Sequence, residues 1–316
     1  MVGSLSVPMS PQFYVGLVLL IIPIAWLGYS VHRMFEGERR GKRSPFTEKL
    51  IRPAGESLRI RIGAIEELMM DRVLWLVPLF IAPGILAMSA PLHSVSGRLL
   101  FHLSLPAVCW AFAVYHYRNL TSLRIQLRKL RLGFDGERYV GGELDQLMLE
   151  GYGVFHDFVI DSRPGGDLTD FNIDHIAVGP TGIVSVETKA KRKPTKDQLD
   201  SGRAEVEFDG NTLKFSCDKA RPDAVDQALN NAKELGEWLN ERLAFKVNVR
   251  AMIVIPGWWV ENPGNRDAIH VYTGKGVAQK FSNLPKTALS PAELEAVTKL
   301  LGSHARNVDA EAPDQG

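Results

Sequence analysis

Cysteine is almost missing from this chain: of 316 residues only Cys109 and Cys217 carry a thiol, and they share no metal-ligand spacing. That argues against a disulfide framework and points to a reducing compartment. An excess of one charge is missing too, since the net charge is +1. No internal repeat or low-complexity tract stands out. Three stretches contain no Asp, Glu, Lys or Arg at all: residues 12–31, 73–92 and 99–117. Each is about as long as a bilayer crossing requires, which is ~20 apolar residues. Their prolines, tolerated inside a bilayer, would break soluble helices. The absence of any carboxylate within them argues against a transporter, which needs a polar pathway.

The small net charge hides a division. Residues 1–132 hold 16 Lys/Arg against 7 Asp/Glu, and residues 133–316 hold 21 against 29. Residues 32–72 carry ten of the basic side chains, whereas the link 93–98 has only Arg98. The positive-inside rule then places the N-terminus outside and everything after residue 117 in the cytoplasm. The first apolar stretch lacks a positive leader and a small-residue cleavage site, so it reads as a retained anchor. The expectation is a multi-pass protein of a cell inner membrane, with the lipid bilayer as one partner. Residues 118–132 read as a basic juxtamembrane helix, placing Arg124, Arg128 and Lys129 near anionic headgroups. Leucines at 120, 123, 127 and 130 leave open a short coiled-coil seam and hence a homodimer.

From residue 133 the pattern changes to alternating helices and strands, an α/β domain over 133–303 with a polar, disordered tail at 304–316. Residues 134–150 are helical in spacing, with Tyr139, Val140, Leu144, Leu147 and Met148 on one face and Gly151 as the stop. A strand at 154–160 precedes a polar loop. Asp209-Gly210-Asn211 marks a hairpin within 205–215. Residues 223–243 form an amphipathic helix, residues 247–256 a buried strand, and residues 269–272 another. Ser290-Pro291-Ala292-Glu293 is a capping box opening a last helix.

The chemistry lies in residues 172–193. Two apolar runs flank Gly179-Pro180-Thr181-Gly182, the mark of two strands joined by a tight turn. If Gly179 faces Gly182, Asp174 lies across from Glu187, and Lys189 shares their face. Two carboxylates ~5 Å apart on neighbouring strands repel. The pair calls for a cation or a shared proton; a salt bridge within Asp174, Glu187 and Lys189 is the purely structural alternative. His175 points to the opposite face and reads as a core residue. Trp258 and Trp259 read either as cover for a sheet edge or as a surface on which bases stack.

Four ordered features resemble the nuclease-related domain (NERD) family, a branch of the PD-(D/E)XK nuclease superfamily, over roughly residues 133–273. They are Gly133-x-x-Gly136-Glu137, Ile173-Asp174-His175, Glu187-Thr188-Lys189 and Pro222-x-x-x-x-Gln227-Ala228. The chain departs from many relatives after the lysine, where it has Ala190-Lys191-Arg192-Lys193-Pro194. The resemblance implies a restriction-endonuclease-like mixed sheet flanked by helices, here preceded by three transmembrane helices. It implies metal-assisted hydrolysis of a phosphodiester in nucleic acid, DNA favoured over RNA. Asp174, Glu187 and the Thr188 carbonyl would hold Mg²⁺ or Mn²⁺, with no organic cofactor. Lys189 would orient the attacking water, Glu137 would support the acidic pair or reach a second ion, and Gln227 would position substrate or water. Lys191, Arg192, Lys193 and Lys196 would contact the phosphate backbone. A non-catalytic membrane-tethered module that binds nucleic acid or a protein on the same fold is the alternative.

Overall fold

The computed structural model of the chain describes residues 51–74, 95–160, 172–195, 203–216, 223–261 and 269–305. Contacts divide it into two compact units, one of Met1–Glu48 with Glu67–Arg124 and one of Lys49–Glu66 with Ile125–Gly316. Of helix α1 (Glu56–Leu74) the residues from Glu67 on, and of helix α2 (Val95–Leu144) those up to Arg124, are the described residues of the first unit; the rest of both helices belongs to the second. Val108, Trp110, Tyr115 and Tyr117 are exposed there. Among the described residues no helix is long and apolar enough to cross a membrane. The expectation of three transmembrane helices is therefore unsupported. The apolar stretch 12–31 and most of 73–92 lie outside the described residues, and 99–117 falls in α2, which continues without a break into the basic segment.

The second unit is built on a five-stranded sheet. After α2, a short 3₁₀ turn (Asp145–Glu150) ends at Gly151, whose φ of 83° no β-carbon-bearing residue adopts easily. Strands β1 (Gly153–Val159), β2 (Asn172–Gly179) and β3 (Gly182–Thr188) form an antiparallel meander. The turn between β2 and β3 pairs Gly179 with Gly182, the register expected, and Gly182 takes φ 96°. Helix α3 (Asp223–Arg242) then crosses over to β6 (Val249–Ile255), which lies parallel between β3 and β8 (Ile269–Thr273). The order is β1-β2-β3-β6-β8. A second sheet, β5-β4-β7, joins β4 (Glu205–Phe208), β5 (Leu213–Phe215) and β7 (Trp259–Glu261). Helix α4 (Val277–Phe281) and helix α5 (Pro291–His304) complete the unit, α5 opening on the expected capping box of Ser290 and Glu293.

The sheet is buried on both faces, which is why β2 and β3 read as continuous apolar runs. One face packs Val184, Val186 and Met252 against Val140, Leu144 and Leu147 of the α2 end and its 3₁₀ turn. The opposite face packs Phe158, Ile176 and Ile183 against Leu235, Trp238 and Leu239 of α3, with Leu301 of α5. Met148, expected inward, is 50% exposed, because the helix tightens to 3₁₀ after Leu144 and its face rotates. Tyr139, also expected inward, lies in the α-helical part and is 44% exposed, its ring edge against Gly274.

One part of this unit comes from a distant segment. Arg52, 5% exposed, inserts against Asp157 of β1, which is fully buried. Asp157 Oδ2 accepts from Arg52 Nε at 2.9 Å, from Arg52 Nη2, and from Ser57 N at 2.9 Å and Oγ at 3.0 Å. Its Oδ1 accepts from Asn172 Nδ2 at 2.6 Å. The carboxylate thus also caps the N-terminus of α1, where exposed N–H groups favour negative charge. Asp157 has φ 47°, a left-handed conformation that Asp tolerates better than most residues.

Candidate active site

Strand β3 ends at Thr188, and the acidic site forms on its side facing α3. Because register pairs His175 with Val186, one residue further out sets Asp174 opposite Glu187, as the turn geometry predicts. Both are nearly buried, at 7% and 3% exposure. Thr188 N donates to Asp174 Oδ2 at 2.7 Å. Lys189 Nζ donates to Glu187 Oε1 at 2.7 Å and to Gln227 Oε1 at 2.8 Å. Asn231 Nδ2 donates to Glu187 Oε2 at 2.8 Å. Gln227 and Asn231 stand four residues apart on α3, so both reach the end of β3 from one helix face.

Glu137 comes from the opposite side, on α2. It is 7% exposed, and its Oε2 has no hydrogen-bond partner. The preceding glycine explains how the helix comes so close. A β-carbon on Gly136 would stand 2.5 Å from Ala190 Cβ, the residue after Lys189. The Gly-x-x-Gly-Glu pattern therefore lays α2 directly on the tail of β3.

The electrostatics follow from this crowding. Burial raises the Glu137 pKa to about 8, with the charges of Asp157 and Glu187 adding to the effect and Lys189 opposing it. Burial, then Glu187 and Glu137, hold Asp174 well above the ordinary carboxylate range. Burial also raises Glu187, against the pull of Lys189 and Asn231. All three acids thus disfavour their charged forms, chiefly because they are buried.

His175 is fully buried, as expected of a core residue. Its Nδ1 lies 2.9 Å from His156 Nδ1 and its Nε2 lies 3.2 Å from Thr188 Oγ1, while burial and His156 push its pKa well below the usual value. It supports Thr188 from the face opposite the acids.

Of the basic run, Lys191 lies over the Phe215 ring at 4.1 Å, and Arg192 and Lys193 are exposed. Lys196 lies outside the described residues. The tryptophans divide the two roles expected of them: Trp258 is buried at 1% exposure, whereas Trp259 is 57% exposed. Two contributors escaped the sequence reading. Asn231 carried a signal, a polar side chain on the inward face of an amphipathic helix. Arg52 and Asp157 carried none.

The donor set fits a hard divalent cation in its chemistry: two carboxylates and the Thr188 carbonyl, with a Glu137 oxygen that has no hydrogen-bond partner among the described residues. Among the described residues no three His, Cys, Asp or Glu side chains already converge as a metal-binding group, so backbone and water would complete the shell.

A mixed sheet carries a buried acidic pair and a lysine at one strand end. Residues 132–256 match the family model described as nuclease-related domain, which supports the nuclease-related family for this segment. No curated protein and no solved structure matches the chain.

Proposed function

We propose that this protein is a membrane-anchored, metal-dependent nuclease that hydrolyses phosphodiester bonds of nucleic acid, DNA in preference to RNA, at the cytoplasmic face of a cell membrane. The observation that carries the reading is Asp174, Glu187 and Lys189 gathered at the end of β3 within a segment that matches a nuclease-related domain. The uncharged stretches 12–31, 73–92 and 99–117 and the basic residues between them support the anchoring.

Asp174, Glu187 and the Thr188 carbonyl would hold Mg²⁺ or Mn²⁺. The bound ion would supply an acidified water and positive charge beside the phosphate. Asn231 fixes the second oxygen of Glu187, so the carboxylate presents one orientation. Gln227 holds Lys189 beside Glu187, where its ammonium orients the attacking water and offsets charge developing on the phosphoryl oxygens. Glu137 keeps its proton while the cation is absent, which limits repulsion among the acids.

The test is cleavage of circular and linear DNA and of RNA by the full-length protein, with Mg²⁺, Mn²⁺ or EDTA. Cutting that needs metal and is lost in Asp174→Ala and Lys189→Ala is expected. Equal cutting by wild type and Asp174→Ala sinks the reading. No cutting together with no Mn²⁺ binding moves it to the non-catalytic module, an outcome consistent with both Glu187 oxygens being held by Lys189 and Asn231.

A further inference from the structure

Beside the acidic site lies a cavity of about 970 Å³ to which the proposed chemistry assigns no role. Its walls include Tyr139, Trp259, Lys193, Arg203 and Lys275, with Pro256, Gly257 and Thr273 at its floor. Two of its boundaries are the carboxyl ends of β6 and β8, and the acidic site stands at the carboxyl end of β3. All three strands are parallel, so pocket and acids open at the same end of the sheet. That end is where open α/β sheets take their ligands. Lys193 follows Lys189 by four residues, a separation of at most ~13 Å of chain. A stacked strand covers that distance in about four phosphates, at ~3.4 Å each.

The chemistry of the walls is selective. Among the described residues three cationic side chains line the pocket and no acidic one does, in a domain whose sequence is otherwise net negative. Trp259 is 57% exposed, the most exposed aromatic residue of the unit among the described residues, and Arg203 lies 5.7 Å from its ring centre. The ring is held rigidly from behind. Trp259 N donates to Ala204 O at 2.8 Å, tying it to β4. Its neighbour Trp258 donates from Nε1 to Lys191 O at 3.0 Å and meets Phe215 edge-on at 4.9 Å. One buried indole therefore pins both the exposed indole and the basic segment Lys191–Lys193 to the small sheet. An apolar ring in a pocket that Lys193 and Lys275 also line suits a flat aromatic group flanked by anions. A nucleobase between phosphates is that group. In a duplex the base faces are already stacked on one another, so only an unpaired strand can offer one.

We infer that this pocket receives an unpaired nucleobase against Trp259, with the adjoining phosphates on Lys193 and Lys275, and that the substrate strand is single-stranded where it leaves the acidic site. The inference rests on the nuclease reading for that strand to be a substrate, and not for it to bind. The test is therefore made in EDTA, where cutting does not interfere, by titrating full-length protein with a fluorescent dT oligonucleotide and with a duplex of the same length. Wild type binds the oligonucleotide more tightly. Trp259→Ala weakens it roughly 5- to 150-fold, the cost of one lost base stack. Trp259→Phe recovers most of the loss, and duplex affinity changes less than about twofold. Lys193→Ala and Lys275→Ala each flatten the salt dependence of single-strand binding, by ~0.7 in log–log slope. Equal losses on both substrates, or none on the oligonucleotide, overturn the inference. If Trp259→Ala binds normally while Asp174→Ala abolishes metal-dependent cutting, the pocket fails and the nuclease stands. If the stacking losses occur but Asp174→Ala cuts like wild type, the nuclease fails and the pocket stands.

Discussion

Replacing Arg52 with methionine tests the connection that ties a distant segment to the five-stranded sheet. Asp157 has no exposure to solvent, and Arg52 supplies two of the five hydrogen bonds to its carboxylate. Taking one partner from a buried ion pair costs ~3–5 kcal/mol, because the remaining charge stays desolvated. Ser57 and Asn172 still donate to Asp157, which puts the expected loss at the low end, about 3 kcal/mol. For a unit of this size, each kcal/mol corresponds to ~2–4 °C, so Tm should fall by ~6–12 °C. Thermal and urea denaturation of the full-length protein, followed by near-ultraviolet circular dichroism, reads the change. Adding Asp157→Asn to the same chain removes the stranded charge, and the double variant should regain more than half of the loss. An Arg52→Met midpoint within ~0.5 kcal/mol of wild type refutes the reasoning. So does a double variant whose loss is the plain sum of the two single ones, since coupled partners do not add. The same reasoning predicts that residues 133–316 expressed alone lose cooperative unfolding, and that a shortened protein for assay must begin before Arg52.

Three further outcomes follow from the site. Asn231→Ala frees one oxygen of Glu187, and metal-dependent cleavage should drop ~10- to 100-fold in a single-turnover assay while Tm moves little by comparison. Gly136→Ala drives a β-carbon into Ala190, which should cost ~1–3 kcal/mol and displace Lys189; unaltered activity and stability would show that the helix does not bear on the strand tail. The Glu137 pKa is raised in the folded state, so metal-free stability is fullest below the ordinary value near 4.5 and declines as pH rises toward about 8. Buried His175 acts in the opposite sense, removing stability as pH falls below its usual 6.5. Comparing wild type with Glu137→Gln in EDTA isolates the first effect, since the difference should grow across pH 4.5–8 and vanish if Glu137 ionises normally.

How far these features could be read in advance depended on distance along the chain. The β2–β3 hairpin was legible to the residue because a Gly-Pro-Thr-Gly turn leaves one register, and that register alone puts Asp174 across from Glu187. Helix α3 and the α5 cap were legible for similar local reasons. Strand β7 was not: three residues, Trp259–Glu261, are too few to carry a periodicity, and their order comes from pairing with β4. Met148 was misplaced because a change from α to 3₁₀ geometry rotates a face without altering the residues. The tie between Arg52 and Asp157 bridges 105 positions, and a lone arginine in a basic stretch announces nothing.

Arg52 has a second long-range contact, its N–H donating to the carbonyl of Ala305 at 3.0 Å. The two ends of the unit are thus joined, although one is synthesised about 250 residues before the other. At ~5–20 residues per second a ribosome needs roughly 12–50 s to deliver the second end after the first. Throughout that interval Arg52 has neither Asp157 settled in a finished sheet nor Ala305 to meet. The unit therefore cannot mature while its chain is emerging. It closes only after translation has passed the last helix, and activity in a cell should lag behind completion of the polypeptide.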